Sequence, residues 1–177
     1  MTAELAAPVT AEDHALGQAD APFVLVQYGD YECPYTQRSL PEVEKVRADL
    51  GPAVRWVFRN FPLTEIHPNA LQAAEAAEAA GALGRFWEMH AMLFANQKAL
   101  EHDDLHRYAV EIGLDADAFN AELAGGGHFD RVQADFDGGV RSGVGGTPTF
   151  FTNGFRHDGP YSAQALLDAL RARTAET

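Results

Sequence analysis

The sequence predicts an α/β domain that carries an inserted helical subdomain. Three observations carry that reading. Short apolar runs rich in β-formers stand near both ends of the chain, and the first two have β-α-β spacing. Between the two ends lies a long Ala-, Glu- and Leu-rich stretch with helical period and nothing strand-like. The 177 residues suit one domain with a sizeable core, or a smaller core plus an insertion. With 46% apolar and 22% charged residues, the composition is that of a globular chain, not a disordered one.

In chain order, residues 1–20 are polar and Ala-rich without a clear period, and read as a loosely held N-terminal arm. Residues 21–65 and 126–177 supply the α/β domain, and residues 66–125 the helical insert. Phe23-Val24-Leu25-Val26-Gln27-Tyr28 ends at Gly29-Asp30 and reads as a buried strand. A helix follows Cys33, with Pro34 at the first helical position, where a missing N–H costs nothing. Leu40, Val43, Val46 and Leu50 share one face, Pro41 is expected to kink the helix, and Gly51-Pro52 stops it. Val54–Arg59 is the second strand, and the β-α-β unit favours a parallel sheet. The insert is read as helices over about 68–82, 85–97, 102–112 and 116–124, with breaks at Gly81, Gly84 and Gly113. A further helix covers about 128–142. Asn153-Gly154 between Thr149–Thr152 and Phe155–His157 is a strong hairpin signal. A last helix, about 162–173, presents Leu166, Leu167 and Leu170.

Charge and cysteine count narrow the function classes. A net charge of −13 opposes binding to nucleic-acid backbones or anionic lipid surfaces. No segment approaches the roughly 20 apolar residues of a membrane span. Met1-Thr2-Ala3-Glu4-Leu5 has neither the basic nor the apolar region of a secretory signal, so a cytoplasmic protein is expected. The chain has one cysteine, so any redox disulfide must join Cys33 to another molecule.

Cys33-Pro34-Tyr35-Thr36 lies where a strand gives way to a helix. The N–H groups and partial positive charge of a helix N-terminus stabilise a thiolate. Cys33 as N-cap would accept from the N–H of Tyr35 or Thr36, and the Thr36 hydroxyl could add a donor. Asp30 and Glu32 oppose this, since nearby negative charge raises a thiol pKa. The plain alternative is that Cys33 is a small buried core residue. Thr147-Pro148, by composition, is an ordinary turn; were its bond cis, the backbone of Thr147 would offer a strand edge to a peptide.

The histidines are weaker signals. His67 could cap a helix, His90 lies on one, and His157 is structural or near the cleft. His102 and His106 stand four apart, a metal-ligating spacing that solvated helix faces also produce. The acids of 101–104 and 115–117 suit helix starts.

Taken together, Asp30-Tyr31-Glu32-Cys33-Pro34-Tyr35, Phe58-Arg59-Asn60-Phe61-Pro62-Leu63 and Gly146-Thr147-Pro148-Thr149-Phe150-Phe151 resemble the DsbA-like thioredoxin superfamily. They are most similar to its thioredoxin-like domains that occur alone or fused to bacterial sodium/proton antiporters. The likeness runs from about Gln18 to Arg171. It implies a thioredoxin fold, disulfide exchange, Cys33 as nucleophile, and Pro148 as a cis-proline facing it. Pro34, Tyr35, Thr147 and Pro148 are then the substrate-binding positions, and Cys33 and Thr36 the catalytic ones. Two departures stand out. The family's usual Cys-Pro-Tyr-Cys motif here ends in Thr36, and the acid that relatives often carry six residues before the nucleophile is here Gln27. A buried acid that serves a resolving thiol loses its partner with that thiol, so the two changes are consistent with each other.

The expected function is therefore single-thiol disulfide exchange with protein or low-molecular-weight disulfides and thiols. It needs no metal or organic cofactor; glutathione or another small thiol would be a co-substrate. Two alternatives stand beside it. One is a redox-inactive module that binds extended peptides. The other is a small-thiol-dependent transferase or isomerase in which Thr36 activates the bound thiol.

Overall fold

The computed structural model describes residues 3–173. Met1 and Thr2 of the signal-peptide reading, and residues 174–177 of the C-terminal range, lie outside the described residues. The chain forms two compact units, one from Met1–Gly29, Tyr35–Arg59 and Gly138–Thr177, the other from Asp30–Pro34 and Asn60–Asp137.

The first unit is built on a five-stranded sheet. Its strands are β1 (His14–Leu16), β2 (Phe23–Gly29), β3 (Val54–Asn60), β4 (Thr149–Thr152) and β5 (Phe155–His157), in the order β1-β3-β2-β4-β5. β2 and β3 are neighbours joined through helix α1 (Pro34–Leu50) and a 3-10 turn at Gly51–Ala53. The other junctions, β1 with β3, β2 with β4 and β4 with β5, are antiparallel. β2 is the central strand, and Leu25 and Val26 are fully buried in it, as its unbroken apolar run requires. The Asn153-Gly154 turn sits between β4 and β5 with φ of 49° and 87°, positive at both positions as a tight two-residue hairpin needs. Helix α7 (Ala163–Ala172) starts at Ser162, whose hydroxyl accepts from Ala165 N, and buries Leu166, Leu167 and Leu170.

Two expectations are corrected here. The N-terminal segment is not a loose arm. β1 pairs with β3 through His14–Phe58 and Leu16–Trp56, Glu4 bridges Phe155, and Leu5 N donates to Gly154 O at 2.8 Å. The β3 partners lie 40 to 44 residues away, so no local period announces it. The buried face of α1 is also rotated from the expected one. It consists of Thr36, Ser39, Val43 and Val46, while Leu40 and Leu50 are only half-buried. The Ser39 hydroxyl can occupy that face because its Oγ donates to Thr36 O at 2.6 Å and accepts from Gln27. The helix runs through Pro41 as one element.

The second unit is helical: α2 (Ala70–Ala82), α3 (Phe86–Ala95), α4 (His102–Glu111), α5 (Ala116–Ala124) and most of α6 (Gly127–Arg141). In α2 seven alanines are buried at or below 2% exposure, which lets neighbouring helices approach its backbone closely. The acids expected at helix starts are there: Asp104 Oδ2 accepts from Glu101 N, and Asp115 Oδ1 from Ala118 N. No helix among the described residues is long and apolar enough to cross a membrane.

Candidate functional site

Cys33 is the last residue before α1, and Pro34 opens the helix as the sequence predicts. Its own N–H donates to Asp30 O at 3.1 Å, closing a turn. Gln97 secures that turn from α3's C-terminal side: its Nε2 donates to the carbonyls of Tyr31 and Cys33, both at 2.9 Å. Nothing local in the sequence singles out Gln97, which lies 64 residues beyond the cysteine. Loss of both bonds leaves two carbonyls to find other donors. Gln97→Ala is expected to lower stability by about 1–2 kcal/mol, read from urea unfolding; an unchanged midpoint would show that the bonds do not hold the turn.

The two acids beside Cys33 are engaged elsewhere. Asp30, fully buried at its side chain, accepts from Glu32 N at 2.7 Å, Leu63 N at 2.8 Å and His67 Nδ1 at 2.8 Å. Glu32 Oε2 accepts from Asn69 N at 2.7 Å, just before α2. Donors thus surround both carboxylates, which spreads the negative charge expected to oppose a thiolate. His67 serves Asp30 instead of capping a helix. Cys33 itself is 3% exposed, a nearly covered residue, as its plain alternative reading had it. Pro34 and Tyr35 are exposed beside it, Tyr35 at 55%.

Beneath the same turn, Tyr31 OH pairs with His90 Nδ1 at 3.0 Å, and both are buried. Burial first, then the charges of Glu78 and Asp135, push the Tyr31 hydroxyl well above its ordinary pKa, so it stays protonated. Asn60 bridges those two buried acids, its Nδ2 donating to Glu78 Oε1 at 2.7 Å and to Asp135 Oδ2 at 3.1 Å. Sequence reasoning missed this network because its members lie 18 to 75 residues apart.

In the sheet unit, Thr36 is fully buried. A Cβ on Gly29 would come within 2.5 Å of Phe58 Cε2 and 2.8 Å of Thr36 Cγ2, so the helix start approaches β2 at a place only glycine permits. A neutral chain runs beneath this turn of α1. Trp56 Nε1 donates to Gln27 Oε1 at 3.2 Å, Gln27 Nε2 to Ser39 Oγ at 2.9 Å, and Ser39 Oγ to Thr36 O. An amide suits position 27 because it must both donate and accept. The Thr147-Pro148 bond is cis, and both residues are half-buried. Thr149 Oγ1 donates to Gly146 O at 2.7 Å across this bend. The His157 ring meets Pro160 O at 2.8 Å.

A thiol at a strand–helix junction, a cis-proline before β4, and a helical unit inserted in the chain define a thioredoxin-fold protein of the DsbA-like type. The Thioredoxin_4 model, described as thioredoxin, matches residues 9–172, and the chain belongs to that family. It is 46% identical over 173 residues to Na(+)/H(+) antiporter NhaA 3 of Salinispora tropica, covering 97% of this chain and 26% of that protein. It is 44% identical over 171 residues to Na(+)/H(+) antiporter NhaA 1 of Mycobacterium sp. strain KMS, covering 95% and 28%. The chain therefore spans about a quarter of the length of these curated relatives. Among solved structures, a thioredoxin-like oxidoreductase from Silicibacter pomeroyi superposes with a TM-score of 0.82 at 27% identity, covering 93% of this chain and 94% of that one. Oxidised BdbD from Bacillus subtilis superposes at 0.80 and 21% identity, covering 99% and 98%, a likeness of fold.

Proposed function

We propose that this chain carries out single-thiol disulfide exchange through Cys33. The observation that carries the proposal is the placement of the lone cysteine directly before α1, its carbonyl fixed by Gln97. The thiolate attacks one sulfur of a protein or small-molecule disulfide. A Cys33 mixed disulfide forms and the partner's other sulfur leaves as a thiolate. With no second cysteine in the chain, a second thiol of the glutathione class attacks the mixed disulfide and returns the Cys33 thiolate. The exchange moves no net electrons to or from the protein. Thr36 supports the first turn of the helix from within, and Pro34, Tyr35, Thr147 and Pro148 are assigned the substrate chain. The proposal places this chemistry in the cytoplasm, where small thiols are kept reduced. The names of the curated relatives describe ion exchange by longer proteins, and thiol chemistry in those assemblies is part of the proposal.

One observation favours a second reading. At 3% exposure, Cys33 also fits a module that binds extended peptides without redox turnover. Thr36, fully buried, gives little support to direct activation of a bound small thiol.

The test is intact-mass analysis after incubation with oxidised glutathione. The expected product is one glutathione adduct per chain, absent in Cys33→Ala. A chain that stays unmodified would overturn the exchange reading in favour of the binding module.

A further inference from the structure

We propose that His102 and His106 form a two-histidine chelate for a divalent late first-row transition-metal ion, in a cleft of the helical unit. His102 opens α4 and His106 follows one turn later, so both rings project from the same face. Their Nε2 atoms face one another at 3.2 Å. With metal–nitrogen bonds of about 2.0–2.1 Å, donors 3.2 Å apart subtend roughly 100° at a shared ion, near the tetrahedral angle. The donor spacing thus already suits a shared ion, and the rings, whose planes now stand at 66°, turn to aim both lone pairs at it. Without an ion, the same approach is one imidazole donating to the other.

The surroundings support a ligand and not only a hydrogen bond. The pair lines a cleft of about 550 Å³ together with Gln72, Glu75 and Asn120, contributed by α2 and α5. These side chains bring oxygen and amide groups to the same concavity. His106 packs edge-on to Phe119, with ring centroids 5.8 Å apart and planes at 90°. Phe119 is fully buried, so one ligand is held by the core while the other, His102, is exposed and adjustable. Among the described residues no group of three or more His, Cys, Asp or Glu is arranged around one ion. The site therefore supplies two nitrogens and leaves the remaining positions to water or a small ligand. Imidazole donors suit Zn²⁺, Ni²⁺ and Cu²⁺, and the affinity order across that series puts Cu²⁺ first.

The experiment titrates the chlorides of Zn²⁺, Ni²⁺ and Cu²⁺ into the full-length chain by calorimetry. A Cys33→Ser chain is run in parallel, which removes the thiol as a competing ligand. One ion per chain is expected in both, with Cu²⁺ tightest and two equivalent nitrogens in its paramagnetic resonance spectrum. His102→Gln and His106→Gln are each expected to weaken binding by about tenfold or more, since even groups outside the ligand shell alter affinity on that scale. His102 is exposed, so its substitution leaves the fold in place, and circular dichroism checks this. Absence of one-to-one binding, or binding that both histidine variants leave unchanged, would overturn the proposal.

Discussion

Gln27→Glu is expected to destabilise the protein by about 3–5 kcal/mol at pH 7.5 and by about 1 kcal/mol or less near pH 4, relative to the natural chain. Position 27 is fully buried in the central strand, and its amide links Trp56 Nε1 to Ser39 Oγ. A carboxyl of nearly the same shape keeps the acceptor for Trp56. It can replace the Nε2 donor to Ser39 only when protonated. The Ser39 hydroxyl has a single proton, already given to Thr36 O at 2.6 Å. Burial and hydrogen bonding both favour the neutral acid, so its folded-state pKa lies above its unfolded one. The sign follows: the folded state then binds the extra proton, and stability falls as pH rises from the unfolded value of about 4.3 toward the raised one. Urea unfolding of both chains at the two pH values reads the effect as a gap that widens with pH. A gap of equal size at both would mean that the introduced acid finds water or a cation, and that the neutral chain beneath α1 is not closed. Gln27 connects through Ser39 to the Thr36 carbonyl, an arrangement that a carboxylate at position 27 would break.

What could be read from the sequence is what short stretches decide. Gly51-Pro52 ends α1, Asn153-Gly154 makes the β4–β5 turn, and Pro34 opens the helix after Cys33, because backbone chemistry at those residues admits few alternatives. The three motif segments together carried the family. The support around the cysteine was not legible. Gln97, the Tyr31–His90 pair and the bridge from Asn60 to Glu78 and Asp135 are ordinary polar residues on helices until the fold brings them together. The burial of Cys33 was one of two readings the sequence left open, since a helix start shows where a thiol sits in the chain and not what covers it. β1 was missed for the same reason as Gln97: three residues without strong β character pair only because β3 presents an edge to them.

That edge also holds a residue whose loss should do comparable damage. Arg59→Met is expected to lower stability by about 3–5 kcal/mol and to release the N-terminal segment. Arg59 is 4% exposed, and its guanidinium donates five hydrogen bonds. Nε and Nη2 reach the two carboxylate oxygens of Asp13 at 2.8 and 3.0 Å, while Nη1 and Nη2 reach Ala7 O and Pro8 O at 2.7 and 3.0 Å. The last goes from Nη1 to Tyr28 OH at 3.1 Å. Burial pulls its pKa down, but the hydrogen bonds and charge interactions with Asp13 and Tyr28 together outweigh it and raise the pKa above the ordinary value, so it stays cationic at any working pH. A methionine fills much of the volume yet leaves the Asp13 carboxylate, 5% exposed, without the cation that justifies its burial. It also strands the two carbonyls that tie residues 7 and 8 to the sheet unit. Hydrogen exchange should then quicken across residues 3–16 well before the rest of the sheet, and urea unfolding should give the global loss. Arg59→Lys should recover only part of it, because a single ammonium cannot span both Asp13 oxygens and both carbonyls. If amides in β1 kept their protection in Arg59→Met, the pairing with β3 would be holding the segment unaided, and the ion pair would be a consequence of that pairing.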